Sequence, residues 1–269
     1  MCLIVAAWQM HPELPLVLAG NRDEFHARPT APADWWPDEP DLLAGRDLEA
    51  GGTWLGISRG GRFGVVTNYR EGSPRAGEVS RGLLLTDWLT GAEPADGFAA
   101  RLAREEQRYA GFNLLFGDPA TLRYHTNRQA ASRQLEPGLH GVSNALLDTP
   151  WPKLVVTRQR LARLIGDGRC EPGAILEILA DTAPAGEDGE TDPALDTALD
   201  TTMGTAMDTA PDPDVRRVLS APFILTPTYG TRCSTVVLFH ADGGAEFVER
   251  RFDPAGETTG ETRISFRLA

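Results

Sequence analysis

Short segments of strand character stand at both ends of the chain, and their placement constrains the fold more than any other feature. Residues 2–8 are unbroken apolar, as are residues 16–19, and the two runs are separated by His11-Pro12-Glu13-Leu14-Pro15. Such lengths fit strands buried on both faces and joined by a turn. Strand character returns at the far end over residues 231–239, 245–252 and 263–268, with Asp242-Gly243-Gly244 turning the first pair. Sheets completed by both ends of the chain predict an α+β fold, with helices covering sheet faces.

The middle of the chain supplies the helices. Apolar residues recur at three- and four-residue steps over 80–90 and 95–109, and residues 153–165 and 173–180 also read as helical. Residues 52–58 and 62–68 form an expected hairpin around Arg59-Gly60-Gly61, and 112–116 and 122–125 a second strand pair. Residues 27–50, rich in Pro, Asp and Trp, predict an ordered surface loop. The expectation is a single domain spanning residues 1–269.

The net charge of -12 is mostly local. Residues 181–214 carry ten acidic side chains and no Lys or Arg, and without them 26 basic residues face 28 acidic ones. This stretch is too poor in large apolar residues to order itself, which predicts a flexible insertion within the domain. No basic stripe suggests nucleic acid as a partner. No apolar run approaches the ~18 residues of a membrane span. The opening run is too short for a signal peptide core and lacks a basic segment before it, so the expected location is cytoplasmic. Three cysteines, at 2, 170 and 233, make no disulfide framework, and five scattered histidines show no ligand spacing. Neither metal nor cofactor is expected.

Chemistry concentrates at the start. Methionine before a small residue is normally excised, and its loss would leave an α-amine and a thiol on Cys2. An amine of pKa about 8 matches a thiol near 8.5, so base and nucleophile would share one residue. On position alone, a small buried apolar residue in a first strand is the plainer reading of Cys2. Gly20-Asn21-Arg22-Asp23-Glu24-Phe25 follows the second run, and a hairpin can bring Arg22 or Asp23 near Cys2. A guanidinium there would favour thiolate, and a carboxylate would hold the amine. A charged surface turn is the plainer reading.

The quartet Asn21-Arg22-Asp23-Glu24 after an MCLIV start resembles the NRDE family, also called the transport and Golgi organisation protein 2 family. Further blocks agree in order: Gly51-Gly52-Thr53-Trp54-Leu55-Gly56, Thr67-Asn68-Tyr69-Arg70, Gly141-Val142-Ser143-Asn144-Ala145, Thr149-Pro150-Trp151-Pro152 and Tyr229-Gly230-Thr231-Arg232. The family in turn resembles N-terminal-nucleophile cysteine hydrolases, which implies a four-layer αββα sandwich. The resemblance implies Cys2 as nucleophile, Arg22 beside the thiol and Asp23 on the α-amine. Because Arg22 and Asp23 adjoin, where the usual pattern separates them by two residues, Glu24 could exchange roles with Asp23. The resemblance further implies Asn68 as oxyanion donor, Asn144 near the amine and Arg232 at the pocket rim. Cys233 stands where serine is expected.

Two functions follow. In one, Cys2 attacks a small amide, lactone or thioester, with Asn68 holding the oxyanion. In the other, the same pocket carries a hydrophobic ligand such as haem or an acyl lipid without turnover, since eukaryotic relatives are associated with haem movement and with lipid or acyl-CoA metabolism. A complete Cys/Arg/Asp/Asn set favours chemistry, because a carrier has no evident need for a free amine beside a thiol.

Overall fold

The computed structural model describes residues 2–70, 77–129, 132–184 and 217–269. Its first sheet unites both ends of the chain. β1 (Cys2–Trp8) pairs with β2 (Leu16–Phe25), and β2 pairs on its other side with β11 (Tyr229–Phe239). β12 (Gly244–Phe252) and β13 (Thr258–Arg267) extend one edge, and β10 (Gly138–Val142) closes the other. The second sheet runs β3 (Thr30–Trp36), β4 (Glu39–Asp47), β5 (Leu55–Ser58), β6 (Phe63–Asn68), β7 (Phe112–Asp118), β8 (Thr121–Thr126) and β9 (Arg133–Gln134). The named strand pairings are antiparallel, so the protein is a mixed α/β structure built on antiparallel sheets.

Alternation along the strands sorts the core. Ile4, Ala6 and Trp8 on β1 pack with Leu18, Val237 and Phe247 against Leu43, Ile57, Phe63 and Leu115 of the second sheet. Leu3, Val5 and Ala7, one residue out of phase, face α3 (Pro152–Gly166) and α4 (Pro172–Leu179) through Leu154, Leu161 and Leu176. The far face of the second sheet packs on α1 (Arg81–Thr90) and α2 (Ala95–Glu105) through Leu85, Trp88, Phe98 and Phe116. α1 begins where Ser80 accepts a hydrogen bond from the Gly82 N–H, and α3 and α4 each open on proline, whose missing N–H costs nothing at a helix start.

Three expectations need correction. Residues 27–50 are largely β3 and β4 rather than a surface loop, with Trp36 and Leu43 buried. β2 does not end before the Asn21–Glu24 quartet but runs through it to Phe25. Polar side chains survive inside this strand because they are partnered: Asn21 Nδ2 donates to the Leu179 and Pro222 carbonyls at 2.9 and 2.8 Å, and Ser234 Oγ donates to Asn21 Oδ1 at 2.6 Å. The helix expected over 95–109 gives way after Glu105 to a single 3-10 turn, Glu106–Arg108.

Most of the acidic stretch 181–214 lies outside the described residues. Its first residue is anchored: Asp181 accepts from Arg160 at 2.5 Å, and its carbonyl accepts from the Phe223 N–H at 2.9 Å. The base of the segment is thus closed by the body of the protein. Replacing residues 185–216 with a short Gly/Ser linker is expected to leave the melting temperature within a few degrees. A large drop in a thermal melt would show that the segment contributes to the core.

Candidate functional site

The register of the first sheet lays Cys2, Arg22 and Cys233 in one row across β1, β2 and β11, with Arg22 in the middle. Residues directly opposite in a ladder share a face, so all three side chains point between the sheets. Cys2 and Cys233 are two strands apart, roughly 10 Å at the usual strand spacing, too far for a disulfide. Cys233 is 3% exposed and packs beside the buried Glu249, and burial first, then the Glu249 charge, pushes its thiol well above the usual range.

A bulge in β11 decides what happens to Arg232. Thr231 pairs with Asp23 and Cys233 with Arg22, leaving Arg232 as the extra residue. Its Nη1 donates to the Phe25 and Arg28 carbonyls at 2.8 and 3.1 Å, which fixes the turn after β2. Arg232 is not among the residues that line the cleft at Cys2. The bulge also puts Thr231 and Cys233 on opposite faces, so Thr231 Oγ1 can donate to Asp23 Oδ1 at 2.7 Å.

The cleft measures about 140 Å³. Cys2, Arg22, Asp23 and Glu24 come from the first sheet, Val66 and Asn68 from the second, Trp54 from the position just before β5, and Ser80 and Gly82 from the start of α1. Asn144 ties the two sheets together here. Its Oδ1 accepts from the Cys2 backbone nitrogen at 3.2 Å, and its Nδ2 donates to the Asn68 carbonyl at 2.9 Å. It does so from a left-handed backbone, φ 57°, which asparagine tolerates better than most residues. Asn68 ends β6 with its side chain exposed, and its backbone rather than its side chain holds Asn144.

Arg22 is 5% exposed and fully engaged. Its guanidinium lies 4.3 Å from the centroid of Trp54, donates to Thr30 Oγ1 at 3.1 Å and pairs with Asp47 at 3.3 Å. Asp47 also takes Arg28 at 2.6 Å. Burial alone would raise Asp47, but the Arg28 hydrogen bond and the Ala50 and Glu49 N–H groups bring it below the ordinary carboxylate range. For Cys2 the balance goes the other way. Burial raises the thiol, and the amino-terminal charge, a hydrogen bond with the Asp23 backbone and the Arg22 charge offset this only in part. Asp23 is likewise raised by burial, against the amino-terminal charge, Lys153 and the Thr231 hydrogen bond.

Lys153 is the residue the sequence reading missed. It sits in the first turn of α3, 4% exposed, with Nζ donating to the Leu219 carbonyl at 3.3 Å. One signal was available: a lysine directly after Trp151-Pro152 at a helix start, where the helix dipole disfavours a cation. Among the described residues, no three His, Cys, Asp or Glu side chains are grouped to hold a metal ion. None of the described helices is long and apolar enough to cross a membrane.

The fold and the cleft define a mixed α/β protein whose second residue, a cysteine, heads a central strand beside a small polar pocket. The chain belongs to the Transport and Golgi organisation 2 family, whose model matches residues 1–254. It is 35% identical over 286 residues to the Transport and Golgi organization protein 2 homolog of Bos taurus, covering 100% of this chain and 99% of that one. The Homo sapiens homolog is 33% identical over 280 residues, covering 98% and 97%. Among solved structures, a variant of conjugated bile acid hydrolase from Clostridium perfringens aligns with a TM-score of 0.49 and 7% identity, covering 98% of this chain and 92% of that one. A Caenorhabditis elegans ortholog of N-acylethanolamine-hydrolyzing acid amidase aligns at 0.43 and 12% identity, covering 88% and 92%.

Proposed function

We propose that this protein is an N-terminal-nucleophile cysteine hydrolase acting on a small amide, lactone or thioester. The observation that carries the reading is the seat of the Cys2 nitrogen, 3.2 Å from Asn144 Oδ1 at the head of β1. Loss of Met1 would turn that nitrogen into an α-amine already held by an acceptor. The stacking of helices, sheet, sheet and helices supports reading the chain as one four-layer αββα sandwich.

In this mechanism the neutral α-amine takes the thiol proton, and the thiolate attacks the acyl carbonyl carbon. Asn68 Nδ2 and a backbone N–H hold the resulting oxyanion. The intermediate collapses, the C–N or C–O or C–S bond breaks, and the ammonium protonates the leaving group. Water, deprotonated by the same amine, then releases the acid from the acyl-enzyme. Arg22 favours the thiolate, Asp23 and Asn144 hold the amine, and Arg232 fixes the turn beside them.

A carrier of an acyl lipid or haem is the second reading; holding a lipid does not need the thiolate that desolvation of Cys2 disfavours. The cleft volume of about 140 Å³ weighs against it, since sites that enclose drug-sized ligands run to roughly 300–1,000 Å³. Intact mass before and after a panel of acyl donors, followed by peptide mapping, separates the two. The hydrolase reading expects Met1 to be absent and Cys2 to be acylated ahead of Cys170 and Cys233. Adducts on Cys170 at the same rate as on Cys2 would overturn it.

A further inference from the structure

A lysine is expensive where Lys153 stands. It is buried, and it occupies the helix end that repels positive charge. Its surroundings give a reason. Asn21 and Asp23 alternate with Arg22 along β2, so they face the helix side of the first sheet, and Asn21 reaches the end of α4 there. Residues 219–224 run behind this face, touching Lys153 and Asn21 directly and Asp23 through Thr231. The Leu219 carbonyl holds Lys153, the Pro222 carbonyl accepts from Asn21, and the Ile224 N–H donates at 2.9 Å to Thr231 Oγ1, which in turn donates to Asp23. One short segment therefore sets the cation and the carboxylate in a fixed relation.

The charged groups that act on the pair come from several elements. Asp23 is acted on by the charge at Met1, which excision would transfer to the Cys2 nitrogen, by Lys153 and by Glu24 beside it on β2. Lys153 is acted on by Asp23, by Arg70 in the chain after β6 and by Cys2 on β1. Burial pulls the Lys153 ammonium below its usual pKa, and the Asp23 charge works against that pull. An α-amine can serve as a base only while it is neutral. A buried carboxylate with no other cation beside it would favour the ammonium and disable the base.

We propose that Lys153 is a positioning residue that offsets the charge of Asp23, so that the Cys2 α-amine remains a free base near neutral pH. The inference rests on the hydrolase reading and assigns to Lys153 the setting of its working pH. Its test titrates the α-amine directly, by NMR of protein labelled with ¹⁵N at cysteine, after intact mass has confirmed loss of Met1. Lys153→Met should raise the amine pKa by about one unit. The pH profile of Cys2 acylation should move to higher pH by the same amount, lowering the rate at pH 7 by about two- to fivefold. Lys153→Arg, which keeps the charge, should leave the amine pKa near that of the unsubstituted protein. If Lys153→Met is too unstable to purify, Lys153→Gln can still donate to the Leu219 carbonyl without a charge and should give the same shift. An unchanged amine pKa overturns the proposal, as does a loss of rate equal at every pH. Because the titration needs no substrate, an amine that responds to Lys153 in a protein no donor acylates supports the inference and overturns the hydrolase reading. Retention of Met1 overturns both.

Discussion

Asn68→Ala is expected to slow acylation of Cys2 by about 100–1,000-fold, the loss typical of removing one oxyanion-hole donor. The protein should otherwise remain intact, because the two roles of Asn68 are carried by different atoms. Its carbonyl accepts from Asn144 Nδ2 and survives the substitution, whereas its side chain is exposed where the residue lines the cleft. The melting temperature should therefore move little, as for most surface substitutions. Asn144→Ala makes the contrast, since there the side chain itself spans from the Cys2 nitrogen to the Asn68 carbonyl. It should lose stability and acylation together. Single-turnover acylation followed by intact mass, set beside thermal melts, measures both. An Asn68→Ala protein that acylates at the unsubstituted rate would remove Asn68 from the mechanism.

The sequence carried the ends of the fold better than its middle. β1 and the second half of β11 read directly as apolar runs, because strands covered on both faces need no polar alternation. β3 and β4 were hidden for the opposite reason. Their exposed positions carry Asp34, Glu39 and Asp41, and Pro32 and Pro40 break the apolar signal. β10 was missed because it is short and holds Gly138, His140 and Gly141. The Asn21–Glu24 quartet looked like a turn because four polar residues usually are one. Only the tertiary partners of Asn21, Arg22 and Asp23 let a strand run through them.

The site divides in the same way. Cys2, Arg22 and Asp23 were legible because hairpin pairing alone brings β2 back to the start of β1. Asn68 and Asn144 came through the family resemblance, and their bridge between the sheets depends on a left-handed backbone that composition does not reveal. The displacement of Arg232 follows from a one-residue bulge, and the role of Asp47 from the end of β4 meeting Arg22 of the other sheet. Neither leaves a periodic trace. The activating effect expected of Arg22 is also weaker than charge counting suggests. Asp47 shares its guanidinium, and burial of Cys2 outweighs what remains.

The adjoining glycines of the Gly51-Gly52-Thr53-Trp54 block should respond differently to alanine. A Cβ on Gly52 would sit 2.2 Å from the Gly82 carbonyl carbon, 2.5 Å from the Leu83 nitrogen and 2.6 Å from the Gly82 oxygen. All three atoms are backbone of the first turn of α1, so no side chain can rotate away. The helix start would have to move, and with it Ser80, Arg81 and Gly82 on the cleft wall. We expect Gly52→Ala to cost about 3 kcal/mol, the upper part of the range for overpacking, lowering the melting temperature by roughly 10 °C. At Gly51 the constraint is conformational. Nothing lies within 4 Å of its Cβ position, but its φ of +79° disfavours a side chain. Gly51→Ala should cost about 1–2 kcal/mol, and Gly51→Asn less, since asparagine adopts that conformation more readily. Chemical denaturation of the three variants measures the order. If Gly52→Ala proves no worse than Gly51→Ala, the close seat of α1 on this loop does not hold the cleft wall in place.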